Sequence, residues 1–431
     1  MKIILCIAFI CLSGLSLNSQ TLVPVDKGWA NNSVNTTIFR KNSLVTHENI
    51  QFIAYYNADG FLTLGKRNIY KKDWTIHKTQ YKGNVNDAHN VISIMVDGEG
   101  FLHVAWDHHG HPLRYAKGKT PLSLELGEKE PMTGQLETNI TYPQFFCMLN
   151  GNLIFMYRDG QSGRGNLVIN HYDVKTKSWS QKQSNLIDGQ NQRNAYWQAC
   201  VDNKGIIHLS WVWRETWDVS TNHDLCYARS SDFGLTWEKS NGEKYALPIT
   251  KDNAEYICYI PQNRELINQT SITTDKKGEV YIATYWRDED LQVPQYRVIY
   301  SDNGKWKNIN TGFRSTPFSL NGGGTKKIPI SRPQIVAKDK KVYVLFRDEE
   351  RDSKVSVAIC NNLTKNKWNI HDLTDFSVGS WEPSYDTELW RKSDKLYLFV
   401  QHTEQVDGEG KANIPPKMIY VLEVDNNRIT E

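Results

Sequence analysis

The hydrophobic positions of this chain fall into short runs that come in pairs, separated by turns rich in Gly, Asn, Asp and Lys. The clearest pair lies within residues 87–109, where two apolar runs flank the turn Asp97-Gly98-Glu99-Gly100. Such a pattern predicts a β-hairpin, which returns its second end to the edge of the sheet where its first end began. We therefore expect His89 to lie near His108 and His109, although His89 and His109 are 20 residues apart.

The same pattern recurs along the chain, with a polar or aromatic residue before the first strand and a polar residue after the second. One further hairpin turns at residues 276–278, and the others open at His47, Tyr142, Tyr196, Arg332 and Trp381. About seven units of roughly 40 to 70 residues are the spacing of a β-propeller. The sequence thus predicts an all-β fold, a seven-bladed β-propeller with four-stranded antiparallel blades, as a single domain over residues 20–431. A strand near residues 29–39 is expected to pair with the last blade and close the ring.

Composition and charge narrow the class of protein. Lys+Arg 51 against Asp+Glu 48 leaves a net charge of +3, too balanced for a nucleic-acid-binding surface. Residues 1–19 combine Lys2 with an apolar run and small polar residues, which is typical of a cleaved signal peptide, and no later run is long enough for membrane insertion. We expect a secreted or periplasmic monomer. Five cysteines follow residue 19, and their odd number and positions within strands favour free thiols over disulfides.

One local motif marks the fold without marking a site. Residues 230–237 read Ser-Ser-Asp-Phe-Gly-Leu-Thr-Trp, the Asp-box of neuraminidase-type repeats. Its Asp and hydroxyl side chains are expected to bond turn backbone, while Trp237 packs between strands. His103 and His208 alternate within strands and are likewise expected to be structural.

The residues that open and close the hairpins should meet around one mouth of the central channel. Surface loops usually favour Asn, Ser, Asp and Lys, whereas these positions hold His, Tyr and Arg. The members of this set that we consider candidates for function are His47, His89, His108, His109, Tyr142, Arg158, Tyr196, Arg214 and Arg332.

These residue types suit β-elimination beside a uronic acid. Arg binds a carboxylate in a bidentate manner, His accepts a proton near neutral pH, and Tyr or a second His donates one. Glycoside hydrolysis would instead require two carboxylates that flank the bond. The acidic residues at the hairpin ends, Asp159, Glu215, Asp288 and Asp348, mostly follow Arg directly, so strand alternation points them away. His108, His109 and His111 lack the Cys or carboxylate spacing of a metal site, and we assign no metal ligands.

At these residues the sequence resembles the BNR-repeat propeller enzymes that act on uronate polysaccharides. These include the ulvan lyases and the enzymes that remove terminal L-rhamnose α-1,4-linked to glucuronic acid in gum arabic and arabinogalactan. The segments that carry the resemblance are Asp87-Ala88-His89-Asn90, Trp106-Asp107-His108-His109, Thr141-Tyr142-Pro143-Gln144, Tyr157-Arg158-Asp159-Gly160 and Trp211-Val212-Trp213-Arg214. The resemblance implies that His89, His109, Tyr142 and Arg158 are catalytic. It adds Trp213 to the expected substrate-binding residues Tyr196, Arg214, His108 and Arg332.

The resemblance leaves two mechanisms open for the rhamnose–glucuronate bond. Some members of the family are α-L-rhamnosidases in which a lone His near the mature N-terminus is implicated, and His47 occupies a similar position. The first mechanism is therefore elimination at the His/Tyr/Arg cluster, and the alternative is hydrolysis involving His47. No cofactor is expected to be required, although a structural calcium ion, without assigned ligands, fits the analogy. The expected partner is an oligo- or polysaccharide that contains rhamnose and glucuronate.

Two further classes serve as alternatives. A sialidase would need an Arg triad, a Tyr-Glu pair and six blades, which about seven units and a single clean Asp-box argue against. A non-catalytic carbohydrate-binding propeller would share the fold and the aromatic rim without turnover.

Overall fold

The computed structural model of the protein describes residues 20–268 and 271–425. The predicted signal peptide, residues 1–19, lies outside the described residues. The described chain folds into seven antiparallel sheets arranged as the blades of a β-propeller, which confirms the predicted all-β, seven-bladed fold. Within these two ranges, no helix has the length and apolar character needed to cross a membrane.

The first three blades follow the chain order. Blade 1 consists of β2 Leu44–His47, β3 Ile50–Tyr56, β4 Phe61–Asn68 and β5 Thr75–Lys82. Blade 2 consists of β6 Ile92–Val96, β7 Leu102–Trp106 and β9 Tyr115–Lys117. Blade 3 consists of β10 Ile140–Cys147, β11 Leu153–Gln161, β12 Arg164–Asp173 and β13 Ser178–Gln183, and it is joined at its inner edge by β8 His109–His111.

The next three blades each have four strands. Blade 4 consists of β14 Asn194–Val201, β15 Ile207–Arg214, β16 Asn222–Ser230 and β17 Glu255–Cys258. Blade 5 consists of β18 Ser271–Thr274, β19 Val280–Trp286, β20 Gln295–Asp302 and β21 Lys305–Asn310. Blade 6 consists of β22 Gln334–Lys338, β23 Lys341–Phe346, β24 Ser356–Cys360 and β25 Asn369–Asp372. Short 3₁₀ turns occur at Ser33–Asn35, Val219–Thr221, Glu349–Arg351 and Leu363–Lys365, and α1 spans Thr387–Ser393.

Blade 7 closes the ring with strands from both ends of the chain. It consists of β26 Leu396–Gln401, β27 Lys417–Val424 and β1 Gln20–Gly28. The prediction that an N-terminal strand closes the ring is confirmed, but its position near residues 29–39 was wrong. Strand β1 pairs with β27 from Gln20↔Val424 to Gly28↔Lys417, whereas a 3₁₀ turn follows it at Ser33–Asn35.

A repeated side-chain triad fixes the turns of blades 2 and 4 at the end of the first strand. The Asp97 carboxylate accepts the backbone N–H groups of Glu99 and Phe101, both at 2.9 Å, and its other oxygen lies 3.1 Å from His103 Nε2. The Tyr115 hydroxyl lies 2.7 Å from His103 Nδ1. Asp202, His208 and Tyr227 repeat the arrangement in blade 4. His103 and His208 are therefore structural, as predicted.

Aromatic side chains fill the spaces between blades. Trp106, Trp211, Trp237 and Trp381 are fully buried. Burying one such ring removes about 150–250 Å² from water, worth on the order of 4–6 kcal/mol. Trp237 also donates to the Gly234 carbonyl at 3.0 Å, and the Asp232 carboxylate binds the Thr236 hydroxyl at 2.6 Å. The Asp-box thus stabilises the turn at residues 230–237. The five cysteines after residue 19 are free thiols, as predicted.

Candidate active site

A cavity of about 360 Å³ opens where the inner strands of the blades begin. Seven of the predicted site residues line it: His89, His109, Tyr142, Arg158, Tyr196, Arg214 and Arg332. They come from blades 2, 3, 4 and 6. The hairpins therefore bring together residues from distant parts of the chain, as their pattern predicted.

The two histidines form a stacked pair held by one carboxylate. The rings of His89 and His109 lie 4.1 Å apart at their centroids, with an interplanar angle of 16°. Asp87 binds both rings, with one oxygen 2.6 Å from His109 Nδ1 and the other 3.0 Å from His89 Nδ1. Phe39 stacks on the outer face of His89 at 5.0 Å. The imidazoles are thus fixed in position and in tautomer.

The surroundings of the two rings raise the pKa of His89 and lower that of His109. Burial opposes the charge on His89, but hydrogen bonds to Asp87 and Glu409 outweigh it and raise its pKa to about 9. Burial lowers the pKa of His109, and the nearby charge of His89 adds to this effect against the hydrogen bond to Asp87. At neutral pH His89 is therefore an imidazolium, whereas His109 is neutral. Because His109 donates its Nδ1 proton to Asp87, its Nε2 atom holds the lone pair of a general base.

A strand exchange between blades positions His109. Strand β8 follows β7 of blade 2 in the chain but pairs with β10 of blade 3, where His109 lies opposite Thr141. The chain makes this turn at Asp107, whose φ is 65°. The Asp107 side chain accepts the Asn84 backbone N–H at 2.9 Å and so stabilises the strained turn.

A β-bulge directs Tyr142 into the cavity. The register of β10 against β11 shifts between Thr141 and Gln144, and Tyr142 has a φ of 59°, a left-handed conformation that is rare for a bulky residue. Backbone strain of this kind concentrates at functional sites. Burial raises the pKa of the Tyr142 phenol, which keeps it protonated.

Arg158 and Arg214 are buried cations without an acidic partner. No carboxylate of residues 20–268 or 271–425 forms an ion pair with either guanidinium. Arg158 donates to the Thr141 hydroxyl at 3.1 Å, and its Nε atom is buried without a hydrogen-bond partner. Gly165 makes room for this side chain, because a Cβ there would lie 2.6 Å from Arg158 Cγ. Two desolvated guanidinium groups in one cavity form a binding site for an anion such as a carboxylate.

Tyr196 lies between these arginines and Tyr142. Its ring centroid is 5.3 Å from Arg214 Cζ and 6.1 Å from the Tyr142 ring. Burial opposes ionisation of Tyr196, but the charges of Arg214 and Arg158 lower its pKa to about 8. The two phenols therefore differ, since Tyr142 keeps its proton more strongly than Tyr196.

Arg332 lines the same cavity but its charge is neutralised. Its guanidinium binds Glu382 through two hydrogen bonds, at 2.8 and 2.6 Å. Glu382 also accepts the Ile38 backbone N–H at 2.8 Å. The side chain can still contact a ligand through its cavity-facing surface, so its substrate-binding role stays a prediction.

Sequence reasoning missed the part of the cavity lining that comes from the long loops. This part contains Trp217, Gly323, Gly324, Thr325, Lys326 and Glu409. Glu409 lies 3.3 Å from His89 Nδ1 and accepts the Thr325 backbone N–H at 3.0 Å. Lys326 pairs with Asp407 at 2.7 Å, which joins the loops before β22 and after β26. These loops lie outside the hairpin pattern. The glycine run at residues 322–324 indicates an irregular loop but not its position at the cavity.

Two expected substrate-binding residues do not reach the cavity. His108 and Trp213 are fully buried. The backbone N–H of Arg114 donates to His108 Nε2 at 2.8 Å, and Trp213 packs edge-on against Trp211 at 6.2 Å. Trp213 precedes Arg214 within β15, so strand alternation turns it to the opposite side. His108 lies outside the strands, in the turn between Asp107 and the start of β8. Their predicted roles were wrong.

His47 was also misplaced. It ends β2, at the far end of an inner strand, whereas the cavity residues lie at the beginning of such strands. It lines a separate cavity of about 450 Å³ with the turn residues Gly98 and Gly151 and the cations Arg391 and Lys392. An inner strand of eight residues such as β10 separates the two ends by on the order of 20 Å. His47 therefore does not belong to the His/Tyr/Arg cluster.

The acidic hairpin ends are engaged elsewhere. Glu215 binds Arg193, His223 and Lys251, Asp288 pairs with Arg297, and Asp348 pairs with Arg314. Among the described residues that line the cavity, Glu409 is the sole carboxylate.

One group of side chains has the composition of a metal site. The ligand atoms of Asp87, His89 and His109 lie within 4.8 Å of one another. Both imidazole Nδ1 atoms already bond to Asp87, so these atoms serve a hydrogen-bond network.

The fold and the cavity thus define a β-propeller whose cavity is lined by two arginines without carboxylate partners among the described residues and by a stacked histidine pair. Residues 50–314 match the BNR repeat-containing family, and the chain belongs to that family. The chain is 21% identical over 411 residues to an ulvan lyase, long isoform, of Pseudoalteromonas sp. (strain PLSV), covering 80% of this chain and 38% of the relative. A corresponding ulvan lyase of Alteromonas sp. is 22% identical over 409 residues, with the same coverage. The chain therefore spans little more than a third of the length of these relatives.

Solved structures share the fold. The crystal structure of polysaccharide lyase Uly1 matches with a TM-score of 0.71 and 14% identity, over 94% of this chain and 98% of the other. An ulvan lyase of family PL25, bound to a repeat of glucuronate and sulfated rhamnose, matches with a TM-score of 0.72 and 14% identity, over 94% of this chain and 96% of the other.

Proposed function

We propose that the protein is an exported polysaccharide lyase that cleaves the terminal L-rhamnose-α-1,4-D-glucuronate linkage of arabinogalactan or gum arabic-type glycans by β-elimination. The observation that carries the proposal is the pair of buried guanidinium groups, Arg158 and Arg214, which have no carboxylate partner among the described residues and share a cavity with the stacked histidines. The ulvan lyase relatives support elimination beside a uronate.

The arginines bind the carboxylate at C5 of the glucuronate. Neutralising this carboxylate makes the C5 proton more acidic, because the charge that develops on the carboxylate during proton removal is stabilised. The cavity is desolvated, so this stabilisation is larger than it would be in water. Arg158 has a free buried Nε and is well suited to the main contact.

The proton transfers follow from the protonation states of the site. His109 Nε2 removes the C5 proton, the C4–C5 double bond forms, and the bond between C4 and O4 breaks. Tyr142 donates its phenolic proton to O4, so rhamnose leaves as a neutral sugar. The imidazolium of His89 and the Asp87 carboxylate hold His109 in its reactive tautomer. Exchange with solvent then restores both groups.

Hydrolysis is less suited to this cavity. It would require a carboxylic acid and a second carboxylate on either side of the bond, at separations of roughly 5 to 9.5 Å. The described lining of the cavity offers Glu409 alone, and that side chain binds His89 and Thr325.

The proposal is tested by incubating the protein with gum arabic while measuring released rhamnose and ultraviolet absorbance. Elimination produces a 4,5-unsaturated uronate that absorbs, whereas hydrolysis produces none. We expect rhamnose and absorbance to rise in a constant ratio, and both to disappear in His109→Ala. Rhamnose release with a flat absorbance trace would refute the lyase proposal, and binding without turnover would favour a carbohydrate-binding propeller.

A second candidate function rests on the cavity around His47. This histidine is half-buried, and burial together with Lys392 lowers its pKa. The described lining of this cavity also lacks a pair of flanking carboxylates, so hydrolysis here would depend on the neutral His47 imidazole as general base, beside the cations Arg391 and Lys392. An α-L-rhamnosidase that uses His47 would then act on the opposite face from the proposed lyase site.

A further inference from the structure

A small cavity of about 70 Å³ lies at the end of the channel away from the proposed active site. Lys41 lines it and is only 8% exposed. The Lys41 ammonium donates to Gln334 Oε1 at 3.3 Å, and no carboxylate of the described ranges lies within ion-pairing distance of it. An isolated buried ammonium is unfavourable, because desolvation removes its hydration without a compensating charge.

The other charged residues of this cavity already have partners. Lys276 pairs with Asp394 at 2.6 Å, and Arg391 pairs with Glu388 at 2.5 Å. Asp202 binds His208 at 3.3 Å and the turn backbone. Lys41 is therefore the cation of this lining that has no carboxylate within ion-pairing distance among the described residues.

A second group of unsatisfied donors belongs to Arg391, which lines this cavity and also the cavity around His47. The Nε and Nη1 atoms of Arg391 are buried without a hydrogen-bond partner, and Arg391 lines the cavity with Lys41. The Cys200 side chain also lines the cavity. Burial raises the pKa of its thiol, and the charges of Lys41 and Arg391 both oppose this rise. The Lys41 ammonium and two nitrogens of the Arg391 guanidinium thus belong to one cavity lining, while the third nitrogen of Arg391 is paired with Glu388.

We propose that this cavity binds a small singly charged anion, such as a halide, between Lys41 and Arg391. A monovalent anion would pair with the Lys41 ammonium and accept the unsatisfied Arg391 hydrogen bonds. The cavity has room for only a few water-sized groups, so a sugar ring does not fit. Burial without a counterion lowers the pKa of Lys41 to about 8, and a bound anion would raise it again. The inference is independent of the proposed lyase site.

Thermal unfolding of the full chain in chloride, bromide or gluconate at matched ionic strength tests the proposal. Because a ligand that binds only the folded state stabilises it, we expect the midpoint to rise saturably with chloride and bromide but not with gluconate. Lys41→Met should abolish this dependence. Lys276→Met, at a paired and more exposed lysine of the same cavity, should retain it. Equal responses in wild type and Lys41→Met would overturn the proposal.

A bromide-soaked crystal provides a measurement that does not depend on a variant. We expect an anomalous peak between Lys41 Nζ and Arg391 Nε. Bromide found only on the protein surface, or a cavity filled by water or by a sugar acid, would overturn the small-anion site.

Discussion

The imidazole rings of His89 and His109 lie face to face, 4.1 Å apart, although they precede and follow a complete hairpin of blade 2. Two stacked imidazoles do not both carry a positive charge readily, since like charges at this separation repel. Asp87 acts to raise the pKa of both rings, and the further hydrogen bond between Glu409 and His89 places the proton on His89, whose charge together with burial leaves His109 neutral. The relationship between the rings therefore makes His109 the proposed base.

The role of Asp87 is tested with Asp87→Asn. The amide cannot neutralise the His89 imidazolium, so the pKa of His89 should fall and the tautomer of His109 should no longer be fixed. We expect turnover to drop about 100-fold, a typical contribution of general-base catalysis. Histidine NMR titration and the absorbance assay measure the two effects. Unchanged turnover would exclude Asp87 from positioning the base.

Arg158→Met should remove the main carboxylate contact. Loss of one charge-stabilising donor in a desolvated site typically costs about 3 kcal/mol, or roughly 100-fold in rate. Arg158→Lys keeps the charge without the bidentate geometry and should lose less. Steady-state kinetics on gum arabic separate the effects on kcat and KM. Equal activity of wild type and Arg158→Met would contradict the carboxylate clamp.

Tyr142→Phe removes the proposed proton donor while keeping the ring. We expect kcat to fall about 100-fold with little change in KM, because the hydroxyl acts mainly in the transition state. Tyr196→Phe is the matched control. Because the pKa of Tyr196 is lowered to about 8, much of this phenol is ionised at alkaline pH and cannot donate a proton. A larger loss of kcat in Tyr196→Phe would move the acid role to Tyr196.

The His89 imidazolium should make stability depend on pH. Its pKa rises from an ordinary 6.5 to about 9 on folding, so the folded state binds this proton more tightly than the unfolded state. The resulting stabilisation is complete below about pH 6.5 and is lost as the pH rises through about 9. Glu409→Gln removes one cause of the shift and should flatten this loss. Denaturant unfolding at several pH values measures it, and parallel curves for the two proteins would contradict the assignment.

His47→Ala distinguishes the two faces of the propeller. If elimination at the proposed site is the reaction, the variant should keep both rhamnose release and absorbance. Loss of rhamnose release in His47→Ala, with normal activity in His109→Ala, would instead support hydrolysis on the opposite face.

Much of the site followed from hairpin geometry. Pairing of strand ends correctly joined His89 with His109, Tyr142 with Arg158 and Tyr196 with Arg214. The error at His47 has its cause in the turn Asp59-Gly60. This strong turn signal lies between β3 and β4, so the pattern predicts a first hairpin that opens at His47. The true inner strand, β2, has only four residues and turns at Glu48, which has a φ of 52° and no glycine to mark it.

Other features had no periodic signal. Glu409 and Thr325 belong to loops outside the repeating unit, and their positions depend on contacts such as Lys326–Asp407. Asp87, by contrast, stands two residues before His89, and an Asp at that spacing commonly accepts the backbone N–H of the second residue on. Strand alternation also held enough information to exclude Trp213, whereas the orientation of His108 depends on the left-handed turn at Asp107, which has no glycine to mark it.

Strand β8 carries His109 but is hydrogen-bonded to a neighbouring blade. The base consequently moves with blade 3, as Tyr142 and Arg158 do, and not with the blade that precedes it in sequence. A small tilt of blade 2 against blade 3 would not change the distances among the proposed base, acid and carboxylate clamp. It would change only the contact between His109 and His89. Blade 3 therefore carries all three of the proposed reacting groups, His109, Tyr142 and Arg158.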